Sequence, residues 1–141
     1  MNILRIGCFL VVSRIAGGSA GTLVQSAPLS AAAERNPFEG VERAQRAGSK
    51  LYARECTSCH GVNREGRRNA PPLNQPEVQG ASSGTLFWVL RNGSLHRGMP
   101  SFAHLPESQR WQIVTFIKSL PPSTAALREQ HQTQDEPTAK Q

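Results

Sequence analysis

Three cysteines, two methionines and no long apolar run set the first limits on this 141-residue chain. Cys8 lies in an N-terminal stretch that reads as a leader, so two cysteines remain, Cys56 and Cys59. A bridge between residues three apart closes a very small loop and staples little, which excludes a disulfide framework as the source of stability. The apolar run from Ile6 to Val12 is too short for a membrane-crossing helix, which needs about 20 apolar residues. There is no alternating pattern of half-buried strands and no internal repeat. Aromatic residues make up only 6% of the chain and are not interleaved with basic ones, so a nucleic-acid module is excluded.

Charge has one dominant sign. Sixteen Lys and Arg face ten Asp and Glu, a formal +6. The basic residues are dispersed, among them Arg43, Arg46, Lys50, Arg54, Arg64, Arg67 and Arg68. They imply either a positive face that steers an acidic protein partner or an ordinary solvated surface.

The N-terminus has Arg5, then the short apolar run, then small residues ending Ser30-Ala31-Ala32-Ala33. That pattern resembles a secretory signal with an Ala-x-Ala-like site and predicts cleavage near Ala33; an uncleaved interfacial tail is the alternative. Loss of residues 1–33 removes Arg5 and Arg14 and no acidic residue, leaving 14 basic groups against 10 acidic ones, a formal +4.

The most informative residues are Cys56-Thr57-Ser58-Cys59-His60, the attachment pattern of a covalent c-type haem. Two thiols at this spacing reach one haem edge and form thioethers with its vinyl groups, and the following imidazole is delivered to the iron as proximal ligand. A redox Cys-x-x-Cys pair would be expected near a βαβ pattern, which is absent. A zinc site would need two further ligands, and His96 and His104 come late and outside the usual spacing.

Helical periodicity surrounds the motif. Asn36-Pro37-Phe38-Glu39 has the order of a helix start, and Val41, Ala44, Ala47, Leu51 and Tyr52 continue an apolar stripe to about Glu55. Residues 61–81 read as an irregular loop containing Ala70-Pro71-Pro72-Leu73. A short apolar helix follows from Thr85 to about Arg91, with Ser82 or Ser83 as cap and Gly93 as terminator. A second loop carries Gly98-Met99-Pro100, and a last helix runs from about Pro106 to Leu120 before Pro121-Pro122 stops it. The expected organisation is a leader over 1–33, an all-α domain over 34–122, and a disordered polar tail over 123–141. So small a domain has little apolar area to offset its chain entropy, and a haem between the helices would supply the missing core.

Met99 is the only methionine besides the initiator. A lone methionine usually fills a core gap. Its place in a turn, after Gly98 and before Pro100, favours a thioether presented to iron instead. His96 and His104 are the competing sixth ligands, and His/Met ligation would give the higher potential.

Taken together, Gly48-x-x-Leu51-Tyr52, the Cys56–His60 motif, Ala70-Pro71-Pro72-Leu73, Gly98-Met99-Pro100 and the helix from Trp111 to Leu120 resemble, in order, the single-haem class I cytochromes c of the bacterial periplasmic type. The resemblance implies a small fold of three to four helices with long loops around one covalent haem c. It implies that Gly48 and Tyr52 pack near Ile113 and Phe116, and that the Pro71 carbonyl accepts a hydrogen bond from the imidazole of His60. With His60 and Met99 as the two iron ligands, no site is open to substrate, so the expected role is a periplasmic one-electron carrier and not an enzyme. The alternative is an electron-transfer subunit of a dehydrogenase or terminal oxidase complex; a gas-binding role would require loss of Met99. Expected partners are redox proteins, with acidic docking faces where the positive face steers them, and neither nucleic acid nor a stable membrane span is expected. A dense lysine surface of the mitochondrial type is missing.

Overall fold

The computed structural model describes residues 21–67 and 69–121. The apolar run of the expected leader and the expected polar tail lie outside them. Among the described residues the fold is all-α: α1 (Gly21–Val24), α2 (Leu29–Ala32), α3 (Glu42–Glu55), α4 (Thr57–His60), α5 (Pro76–Gly80), α6 (Ser83–Asn92) and α7 (Glu107–Lys118), with one 3-10 turn at Leu95–Arg97. Among the described residues, pairing between extended segments is limited to two isolated bridges, Arg67 with Ala70 and Ser94 with Met99.

The first long helix starts later than its sequence suggests. Asn36 does not cap it: its Oδ1 accepts a hydrogen bond from Phe38 N at 2.9 Å, and its buried Nδ2 donates to Thr115 Oγ1 at 2.9 Å. The turn this closes ends at Gly40, whose φ of +73° cannot propagate a right-handed helix, so α3 begins at Glu42. Asn36 therefore ties the segment before α3 to α7.

A second difference is α5, which lies inside the stretch read as irregular. It is five residues long with Pro76 in its first turn, too short to leave a periodic signature. Helix α6 follows its sequence closely: Thr85 N donates to Ser82 Oγ at 3.1 Å at one end, and Gly93 closes the other. Leu86, Phe87, Val89 and Leu90 are all buried, as expected for a helix apolar on more than one side.

The core forms where α3 crosses α7. Ile113 and Val114 are fully buried, each contributing about 1.5–3 kcal/mol by leaving water. The crossing depends on Gly48: a Cβ there would stand 1.9 Å from Gln112 O and 2.9 Å from Phe116 Cβ. One turn on, the rings of Tyr52 and Phe116 meet at 5.4 Å between centroids. On the other side of α7, Phe87 stacks on Trp111 at 3.9 Å. At the end of α7, Gln79 Nε2 donates to Leu73 O at 2.7 Å and to Ile117 O at 3.1 Å. That bond pair fastens the loop before α5 to the same helix.

Gly48→Ala tests the crossing. In an unobstructed helix the change gains about 0.5–1 kcal/mol. Here the methyl group meets backbone, and a net loss of at least about 1–3 kcal/mol is expected from overpacking, read as a lower denaturant midpoint at unchanged m-value.

Candidate functional site

Cys56, Cys59 and His60 occupy a single helical turn. Cys59 N and His60 N both donate to Cys56 O, at 3.2 and 2.9 Å. Residues at i, i+3 and i+4 share a face, so the two thiols and the imidazole are presented on one side of the chain. Both thiols are free, Cys56 buried and Cys59 exposed. Burial pushes the Cys56 thiol up to about 12, with the Glu55 carboxylate adding to the effect. A thiol so firmly protonated is a poor nucleophile for disulfide exchange, which needs the thiolate. Among the described residues no cluster of three or more His, Cys, Asp or Glu side chains is arranged to hold a metal ion.

His60 is half-buried, and its Nδ1 lies 2.9 Å from Pro71 O. A carbonyl only accepts, so the neutral imidazole carries its proton on Nδ1 and leaves the lone pair on Nε2. Burial holds the imidazole pKa below its ordinary value, partly opposed by the bond to Pro71. The neutral ring is the form that ligates metal, and a carbonyl on its other nitrogen fixes ring orientation and raises basicity.

The loop that brings Pro71 to His60 is folded back on the motif. Gly66 N donates to His60 O at 2.9 Å, and Arg67 and Ala70 exchange backbone hydrogen bonds at 3.1 and 2.9 Å. Gly66 has φ +75°, and a Cβ there would stand 2.5 Å from Ala70 O and 2.8 Å from Pro71 C. The sequence marks this stretch only as a loop; the need for glycine at 66 follows from the return of Pro71.

Met99 lies on the loop after α6. Ser94 N donates to Met99 O at 2.7 Å and Met99 N to Ser94 O at 3.0 Å, closing a short loop after α6. The Met99 side chain is half-buried against the core cluster to which Cys56, Leu73, Leu90 and Phe102 belong. Phe102 N donates to Leu90 O at 2.8 Å, pinning the chain beyond Met99 to α6. His104 is exposed and meets the Phe102 ring at 6.0 Å. The His96 side chain lies outside the described part of the structure. Trp88 is half-buried and Phe102 buried.

A family model described as Cytochrome C oxidase, cbb3-type, subunit III matches residues 43–117. The chain belongs to this family of c-type cytochromes. No curated protein and no solved structure gives a match. The matched span runs from α3 into α7 and contains the motif, the Pro71 loop and the Met99 loop.

Haem-based electron transfer is accordingly the chemistry of this cytochrome domain, and haem c the group its family implies. The residues fit such a group. Two free thiols share a helical face with an imidazole whose Nε2 lone pair is available, and a soft thioether lies on a loop that packs onto the same apolar cluster as Cys56. No helix of the described residues is long and apolar enough to cross a membrane.

Two supports of this region are not evident from the sequence of the cytochrome. Tyr52 Oη donates to Gly61 O at 2.7 Å, joining α3 to the residue after His60. Burial, with Cys56 adding, pushes the phenol up to about 12, so it remains a donor throughout the neutral range. Arg110, on α7, donates to Ala103 O at 3.1 Å and Leu105 O at 2.6 Å, and its guanidinium lies 5.0 Å from the Phe87 ring centroid. It holds the chain that leads away from the Met99 loop.

Tyr52→Phe isolates the first support. The ring contact with Phe116 is kept while the buried Gly61 carbonyl loses its donor, for an expected cost of about 1–3 kcal/mol. Urea unfolding of the mutant and parent checks it; identical midpoints would remove Tyr52 from the set of residues that hold the motif.

Proposed function

We propose that this cytochrome is a periplasmic one-electron carrier with a single haem c attached through Cys56 and Cys59. His60 is its proximal ligand and Met99 its distal ligand. The observation that carries this reading is the pairing of one helical face bearing both thiols and His60 with the 2.9 Å contact from His60 Nδ1 to Pro71 O. When bound, the haem supplies an iron that alternates between ferric and ferrous states by one electron. The chain's part is to hold both ligands, so that neither state requires rearrangement, and to keep water from the iron. Thioether ligation at Met99 favours the ferrous state and raises the potential. No acid, base or nucleophile is needed, and export through an N-terminal leader provides the compartment.

The partners that fit are redox proteins with acidic docking faces. Arg43, Arg46, Lys50 and Arg54 recur every three or four residues along α3 and are all exposed. They form a basic stripe, moderated where Arg46 pairs with Glu42 and Arg54 with Glu55.

The family match favours a second reading, a haem-bearing electron-transfer subunit of a terminal oxidase complex. Val62, beside the motif, and Leu95, in the Met99 loop, are 68% and 85% exposed. Apolar side chains exposed at both ligand loops suit a lasting protein contact as well as a brief one. Recovery of the chain with a second protein through purification would favour the subunit; recovery alone favours the carrier.

An optical spectrum of the exported protein after denaturing extraction of loose haem tests the central claim. Retention of a c-type spectrum, with the weak near-infrared band of Met–Fe(III) coordination, is expected. Met99→Ala is expected to keep the haem attached and to lose that band while becoming reactive to carbon monoxide in the reduced state. An unchanged low-spin His/Met spectrum in that variant would remove Met99 from the iron. A colourless protein from a host able to attach haem would overturn the whole reading.

A further inference from the structure

The segment expected to end the leader is built into the domain. Ala31 is 5% exposed, and α2 packs on the first turn of α6. The contact is backbone to backbone: a Cβ on Gly84 would stand 2.0 Å from Ala31 O and 2.7 Å from Glu34 O. Farther upstream, α1 packs against α5 and α6, and Val24 lies against the main core cluster. Downstream of α2, the buried bond from Asn36 to Thr115 ties the chain that follows to α7. Cleavage at Ala33 would strip away Val24 and Ala31 and bare the surface of α6 around Gly84.

We infer that residues 23–33 are a structural strap of the mature cytochrome and that the leader ends at Ala20, not at Ala33. The sequence offers a suitable bond there: Gly18 and Ala20 are small residues three and one positions before it, after Arg5 and the apolar run. A leader peptidase adds water across the Ala20–Gly21 peptide bond. Residues 1–20 leave with a new carboxylate, and Gly21 keeps the amino group. The placement of the bond rests on the export reading; the strap itself does not.

Two measurements separate these. The first exports the haem-bearing protein behind a heterologous cleavable leader, in forms that start at Gly21 or at Glu34, each with Gly84 or Gly84→Ala. The Gly21 form is expected to melt at least about 5 °C above the Glu34 form. Gly84→Ala is expected to lower the melting temperature of the Gly21 form clearly more than that of the Glu34 form, which has lost the 2.0 Å contact with Ala31 O and keeps the one with Glu34 O. Equal melting temperatures, or the same effect of Gly84→Ala in both forms, would overturn the strap. The second is N-terminal sequencing of the native exported chain. A start at Gly21 supports the bond; a start at Glu34, or an intact Met1, overturns it. A native chain that stays in the cytoplasm would sink the export reading and the cleavage with it, and the melting comparison would still decide the strap.

Discussion

The approach of α3 to α7 at Gly48 is the constraint on which the rest of this cytochrome depends. With no side chain at 48, the backbone of α3 rests on the carbonyl of Gln112, and Tyr52 is carried into contact with Phe116. That contact fixes the direction in which α3 ends, and α3 ends on Cys56. Tyr52 then reaches past the end of its own helix to Gly61. The orientation of the motif is thus inherited from a helix crossing about two turns away. Packing of this kind transmits position faithfully because interiors are close-packed and yield little.

Around that axis the chain holds its chemistry-bearing residues by backbone bonds and keeps side-chain bonds for the joints. The Pro71 loop returns through Gly66 and the Arg67–Ala70 exchange; the Met99 loop closes through Ser94. Side chains enter where a loop must be fastened to a helix, as with Gln79, Arg110 and Asn36. Two of the three, Asn36 and Arg110, are buried, where an amide or guanidinium must find partners on folding. They therefore specify geometry as well as add stability. For a small domain with modest apolar area, such joints limit how far the loops can drift before a large apolar group completes the core.

Electrostatics at the motif follow from burial. Burial raises the Cys56 pKa and lowers that of His60, while a basic stripe lies on the exposed face of α3. A neutral, apolar interior beside a positive exterior suits a site that changes its own charge by one unit while meeting a partner across water.

By itself the sequence determined the helical class, the extents of α6 and α7 to within two residues, and the run of the first long helix into the Cys56–His60 motif. Those readings rest on local physics: periodicity, caps at Ser82 and Gly93, and a motif whose three groups share one helical turn. It misjudged Asn36, because an Asx turn and an N-cap begin with the same residues, and only Gly40 in the left-handed region chose between them. It read the stretch that holds α5 as an irregular loop, because five residues are too few to show a period. Tertiary structure alone decided that Tyr52 bonds Gly61, that Arg110 holds the chain beyond Met99, and that α2 lies on Gly84. Each of these joins residues brought together by the way the helices pack, and a linear pattern carries no record of which distant carbonyl a side chain will meet.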